Sequence, residues 1–258
     1  MAREIISQTI LEMRRINTKM TSLKGLIRVG FVAAVLALTG CASTQTNPND
    51  PLEGYNRAMY TFNDAVDTVV LKPAAKGYDT IVPEPISQAI SNFFSNIGDI
   101  GVIINDLLQG KFEQAADDTG RFLLNSTVGF AGILDVATDA GLPKNNEDFG
   151  QTLGVWGVDP GAYVVLPLLG PRTVRDSFGL VGDYYSDPVT YITGPGAENA
   201  LRGTRLVDDR AELLKVENVL EEAALDEYSY VRDAYLQRRL NLVYDGNPPE
   251  DDFDVFSE

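Results

Sequence analysis

Between Leu153 and Pro171 the chain carries one charged side chain, Asp159, while four glycines and three prolines interrupt it. A stretch this apolar leaves water, and its breakers forbid one long straight helix. The fold must therefore hold irregular, glycine-hinged apolar backbone among neighbours that are either protein alone or protein and lipid. Gly150 to Gly154 and Gly157 to Gly161 are GxxxG spacings, a weak signal of close helix contact, and Pro160 makes the second a poor helix. The valines between Tyr163 and Leu169 suggest a strand, but Pro167 among them argues for a buried or re-entrant loop.

At 258 residues and 44% hydrophobic, the chain is large enough for a domain with its own core. Its balance is acidic, with 37 Asp and Glu against 21 Lys and Arg for a net charge of -16. Such a protein is unsuited to nucleic acid, and an anionic bilayer repels it unless a covalent or apolar contact draws it in. There is no histidine and only one cysteine. That excludes Ser-His, Cys-His and His-metal chemistry as well as an intrachain disulfide. Phosphate-binding, dinucleotide-binding and nucleophile-elbow motifs are missing, and neighbouring acids such as Asp117-Asp118 diverge on a helix instead of framing a bond. The reading is a protein without enzymatic activity, cofactor or metal.

Residues 29–38 form an apolar run, preceded by Lys24 and Arg28 and followed by Thr39, Gly40 and Cys41. This is too short to span a membrane and reads as a secretory leader over residues 1–40, with Met20 the better-placed start. Leu38-Thr39-Gly40-Cys41 resembles the lipobox of bacterial lipoproteins, which makes Cys41 the expected site of lipidation, with Ala42 after it as an outer-membrane address. Residues 41–49 are then a lipidated tether, 50–244 a helical domain, and 245–258 an acidic tail expected to be disordered.

Asp50-Pro51-Leu52-Glu53 reads as a helix start, and Tyr55, Met59, Phe62, Val66 and Val69 as one buried stripe that ends at Lys72-Pro73. Asn56 and Asn63 lie seven apart beside it, placed either to meet one partner surface or else to be solvated or to cap a neighbouring element. Ile86 to Leu108 forms one long helix or two, with Asp99 and Asp106 on the face opposite the apolar residues, and Phe112 opens a further helix towards Asn125. Arg172 and Arg175, with Asp176, open a shorter helix. They are candidates to hold a phosphate head group or a partner's carboxylate, or else to pair with Asp176 or Asp183. Tyr184-Tyr185 are boundary aromatics or core, residues 193–199 a Gly-Pro loop, and Asp209 with Glu212 a capping box for the last helical region, which restarts at Asp226.

Taken together, Asp50-Pro51-Leu52-Glu53 with Asn56-Arg57, Ser91-Asn92-Phe93, Asn125 to Gly129, Phe149 to Gly154, Leu166-Pro167, Arg175-Asp176 and Arg232 to Tyr235 resemble the MlaA (VacJ) family of Gram-negative outer-membrane lipoproteins. The resemblance implies an all-α, ring-shaped single domain of Gly- and Pro-broken apolar helices, membrane-embedded on the periplasmic-leaflet side. It implies a channel that removes mislocalised phospholipid from the outer leaflet, a trimeric porin as partner and a soluble periplasmic carrier as recipient. By the same resemblance Asn92 and Phe93, with the adjoining Phe94, position the domain in the membrane, and the stretch holding Pro167 and Arg175 lies near the channel. Asp50, Pro51, Glu53, Asn56, Arg57, Gly150 and Gly154 belong to the family's structural motifs. The alternative function is a structural lipoprotein that braces porins or the envelope without moving lipid.

Overall fold

The computed structural model describes residues 50–223 and 226–249. The leader, the lipobox with Cys41, the tether over 41–49 and the tail from residue 250 onward lie outside the described residues. In chain order the elements are α1 (Glu53–Val66), α2 (Lys72–Ile81), α3 (Glu84–Gln109), α4 (Phe112–Thr127), α5 (Val136–Asp139), α6 (Phe149–Val155), β1 (Tyr163–Leu166), β2 (Gly170–Thr173), α7 (Val174–Ser186), α8 (Pro195–Ala223) and α9 (Glu227–Val243).

Three prolines act differently from the sequence expectation. Pro73 does not end the first helix. A π-turn, Asp67–Leu71, joins α1 to α2, and the Lys72 N–H reaches back to the Asp67 carbonyl. The wider turn accommodates a residue that has no N–H and whose ring would clash with the carbonyl four residues earlier. Pro195 begins α8 instead of lying in a loop, because its fixed φ suits a first helical turn, where Ala197 and Glu198 donate to the Gly194 carbonyl. Asp209 and Glu212 consequently lie inside α8 and cap nothing. Pro167 falls just beyond β1, so the expected loop is a real strand, paired antiparallel to β2 with Tyr163 opposite Thr173 and Leu166 opposite Gly170.

Asn56 and Asn63 hold that hairpin against α1. Asn56 Nδ2 donates to the Tyr163 carbonyl (3.0 Å) while its Oδ1 accepts from Val165 N (2.8 Å). Asn63 repeats the pattern with the Leu166 carbonyl (2.9 Å) and Leu168 N (2.7 Å). Seven helical residues rise about 10.5 Å and three strand residues about 10 Å, so the two amides fall in register with the edge of β1. The small apolar core forms here, from Tyr163, Val165 and Tyr228 with Met59, Tyr60, Tyr235 and Leu236 packed around them. Asp50 does not cap α1, whose N-cap position is Leu52. Its buried carboxylate accepts from Asn56 Nδ2 (2.8 Å) and from the Tyr228 hydroxyl. Arg57 pairs with Glu53 and Asp226 and lies 4.4 Å over the Tyr228 ring, so these motif residues tie α1 to α9.

Elsewhere the usual polarity of a domain is reversed. Along α3, Asn96, Asp99, Asn105 and Asp106 are buried, whereas Ile86, Ile104, Leu107 and Leu108 are exposed. On α4, Asp118, Arg121 and Asn125 face inward, with Phe112 70% exposed. On α7, Arg175 and Asp176 are buried and Phe178 is 69% exposed. Along α1 and the π-turn after it the expected apolar stripe is partly outside, with Phe62 and Val69 exposed and Asn56 buried. Among the described residues no helix is long and apolar enough to cross a membrane. That finding overturns the expected ring of membrane-embedded apolar helices. The domain is mostly helical, as expected, but α3, α4 and α7 turn charged and amide side chains into the protein and apolar ones outward, and one β-hairpin interrupts the helices.

Candidate functional site

The polar interior starts where α3 and α4 pack. Arg121 lies 3.7 Å from Asp99 and 2.8 Å from Asp135, and Lys144 donates to Asp99 and to the Ser95 carbonyl (2.9 Å). Asp106 accepts from Gln114 Nε2 (2.9 Å), and Asp118 accepts from Asn145 Nδ2 (3.0 Å). Burial, and after it the neighbouring Asp118 carboxyl, pushes the Asp106 pKa up to about 7. A carboxyl raised in the folded state stabilises it fully below the unfolded value near 4 and loses that contribution as pH rises through 7. Asp106→Asn supplies a permanent donor, and it is expected to flatten the fall in melting temperature between pH 5 and 8. At pH 8 the variant should be more stable than the parent by on the order of 2 kcal/mol. A thermal unfolding series across pH checks both.

Beside this interior two polar cavities open along the start of α3. One, of about 600 Å³, is bounded by α3, residues 144–151, α8 and α9, and sets Lys144, Arg205 and Arg238 among Glu147, Asp148, Asp209 and Glu212. The other, of about 640 Å³, is lined by Asp79, Glu84, Gln88, Asn92 and Lys215, and shares Ser91 and Glu212 with the first. Ser91 Oγ and the Tyr78 hydroxyl both donate to buried Asp208, at 2.6 and 2.7 Å, which fixes α2 and α3 to α8 at the shared wall. Among the described residues no group of three or more His, Cys, Asp or Glu is placed to hold a metal ion.

Of the residues singled out in the sequence, Asn92 lines the second cavity and donates to the Ile133 carbonyl (3.1 Å), and Phe94 is buried in the wall of the first. Phe93 is half-buried and meets Phe94 edge-on at 5.5 Å. Arg172, Arg175 and Asp176 lie away from these cavities. Arg175 and Asp176 join Arg239 and Asp148 in an ion network where α6, α7 and α9 meet. Arg239 Nη2 donates to Asp176 (2.8 Å) and Asp148 (2.9 Å), Arg175 Nε lies 3.3 Å from Asp176, and the Tyr235 hydroxyl donates to Asp176 (2.6 Å). Burial acts against both carboxylates, but the Arg239 guanidinium outweighs it and holds them below the usual range. Arg175 and Arg239 also border a cavity of about 390 Å³ whose other walls include Leu236, Leu240 and Val243. Arg172 Nη1 donates to the carbonyl of its neighbour Pro171 (3.3 Å).

Gly150 and Gly154 make room for this network. A Cβ on Gly150 would lie 2.6 Å from Asp176 Oδ1, and one on Gly154 would lie 2.8 Å from Arg175 Nη1. The first GxxxG spacing thus does mark a close approach of α6 to α7. Gly157 and Gly161 instead lie in a loop, both at positive φ. Tyr184 and Tyr185 are exposed, not core.

The profile of the MlaA lipoprotein family matches residues 48–242, which takes in all of these elements except the last residue of α9. The chain belongs to the MlaA lipoprotein family. Similar MlaA proteins include the intermembrane phospholipid transport system lipoprotein MlaA of Escherichia coli, 37% identical over 210 residues that cover 78% of this chain and 82% of that one. The MlaA of Haemophilus influenzae, of the same description, is 37% identical over 223 residues, covering 83% and 88%. A solved structure described as the structural basis for maintenance of bacterial outer membrane lipid asymmetry matches with a TM-score of 0.66 and 35% identity, over 75% of this chain and 98% of that one. In this MlaA family member the sequence reading missed Ser91, Lys144, Arg205, Asp209 and Arg238 as cavity residues. They come from four separate segments, and only the polar face of α3 was visible as a pattern.

Proposed function

We propose that this chain is the outer-membrane lipoprotein of an intermembrane phospholipid transport system, held on the periplasmic side by acyl groups on Cys41. It withdraws phospholipid misplaced in the outer leaflet and passes it to a soluble periplasmic carrier, and so maintains lipid asymmetry without covalent chemistry. The observation that carries this reading is the reversed polarity of α3, α4 and α7, charged inward and apolar outward. A head group needs a wet route with both signs of charge near it, which the paired cavities along α3 supply. The acyl chains need hydrocarbon, since exposing each methylene to water costs about 0.8 kcal/mol. Such a route permits passage and leaves direction to the carrier and the machinery beyond it. Asn92, Phe93 and Phe94, beside the cavity walls, set how the domain sits against the membrane, and Arg175 with Arg239 offers a second cationic contact for a head group at the separate cavity of about 390 Å³. A trimeric porin is the lateral partner.

Reconstitution tests the proposal. Vesicles bearing the lipidated protein should release labelled phospholipid to the purified carrier several-fold faster than vesicles bearing Arg238→Glu or no protein. Porin binding with no lipid release would favour a bracing lipoprotein instead.

A further inference from the structure

The cavity of about 390 Å³ between α6, α7 and α9 joins two kinds of surface. Its floor holds the buried side chains of Arg175 and Arg239, and its apolar wall is made by Val158, Leu236, Leu240 and Val243. Two features keep it open. Gly154 has no side chain where a Cβ would lie 2.8 Å from Arg175 Nη1 and 3.0 Å from both terminal carbons of Val243. The loop that supplies Val158 is tied to the start of α7, with Arg175 N–H donating to the Pro160 carbonyl and Val174 N–H to the Ala162 carbonyl, both at 3.0 Å.

The two guanidinium groups are engaged differently. Arg239 is committed to Asp148 and Asp176. Arg175 is 7% exposed, yet its side-chain bonds are long, 3.3 Å from Nε to Asp176 and 3.4 Å from Nη1 to the Val158 carbonyl. Its Nη2 has no hydrogen-bond partner among the described residues. A buried cation with a spare donor in a cavity wall is unfinished until an acceptor arrives.

We propose that this cavity binds a single-chain amphiphilic anion, a free long-chain fatty acid, with its carboxylate on the Arg175 guanidinium and its chain against Leu236, Leu240 and Val243. The inference narrows the cationic contact assigned above to this cavity, and it does not need the route along α3. Charge alone does not draw a small anion here. Asp159 lines the exposed rim, so two arginines stand against Asp148, Asp176 and Asp159. The apolar wall must therefore supply the attraction, which calls for a chain. The volume is more than twice the roughly 150 Å³ of a cavity that holds benzene, space for about fifteen carbon atoms and hence for one acyl chain instead of two. A planar carboxylate fits one open guanidinium fork, whereas the acidic rim works against a doubly charged phosphate.

The test uses the full-length lipidated protein in phospholipid nanodiscs, with tetradecanoic acid isotopically labelled at its carboxyl carbon and followed by NMR. Empty nanodiscs are the reference. Between bilayer and cavity the chain gains nothing, so the guanidinium decides the outcome. The protein should add one carboxyl resonance, saturating at one acid per chain, that stays ionised to a pH lower by about 1 or more than the acid in empty discs. Arg175→Gln should remove it. Leu240→Trp, which fills the cavity and leaves the ion network alone, should weaken binding several-fold, and it decides the matter if Arg175→Gln does not fold. Absence of the resonance in the parent overturns the proposal, and so does a resonance that survives both substitutions. Lysophosphatidylglycerol of the same chain length should displace the acid only in excess; displacement by an equal amount or less overturns the choice of free acid. Phospholipid release from the same preparations separates this site from transport: release without bound acid sinks the site alone, and bound acid without release sinks transport alone.

Discussion

Gly179→Val should leave no folded protein. A Cβ at this position would lie 2.6 Å from Gly150 N and 2.8 Å from Gly150 Cα, so the obstruction is backbone and no side chain can swing away. α6 and α7 would have to separate, opening the ion network they enclose, at a cost of more than about 4 kcal/mol against the roughly 5–15 kcal/mol that a domain has in total. The comparison is internal. Gly98 in α3 has nothing within 4 Å of the place a methyl group would take, so Gly98→Ala should stabilise the protein by about 0.5–1 kcal/mol through helix propensity. Urea unfolding followed by circular dichroism checks both, and a cooperative transition of normal midpoint in Gly179→Val would contradict the packing described.

Arg239→Met is expected to cost about 3–5 kcal/mol, because it leaves the buried carboxylate of Asp176 beside Asp148 with their shared cation gone. The pH dependence should change with it. In the parent, Asp148 and Asp176 are held below the usual carboxylate range, so their contribution is present at neutral pH and lost as pH falls through the folded values. In Arg239→Met the like charges and burial raise both, and stability should recover towards pH 5 instead of declining. Arg239→Lys should rescue only part, since one ammonium does not reproduce a guanidinium nitrogen bonded to two carboxylates. Melting temperatures of the three proteins from pH 4 to 8 decide the matter.

The helices were legible in the sequence, and their orientation was not. The spacing of Ile86, Ile104, Leu107 and Leu108 marks one face of α3 and that of Asp99 and Asp106 another, but periodicity is unchanged when a helix is turned half round. Only the surroundings decide which face is inside, and here the outer face is apolar. The same ambiguity misplaced Phe62 and Val69. Pro73 and Pro195 misled for a separate reason: whether a proline stops a helix depends on the turn before it, and neither a π-turn nor a helix start is written in composition. Gly150 and Gly154 were found by spacing, yet their importance comes from Arg239 and Arg175, which arrive from α9 and α7. The lipobox and the family motifs were readable at once because both are contiguous.

The two asparagine amides on α1 have a consequence for the chain in transit. A two-stranded ribbon ordinarily offers its outer strand to any extended segment nearby, and such an offer is dangerous for a greasy protein still searching for its membrane. Asn56 and Asn63 occupy that strand's peptide groups from Tyr163 to Leu168 with side-chain amides that cannot propagate further. That edge of the hairpin is therefore closed to a neighbouring copy, and strand addition cannot begin along β1.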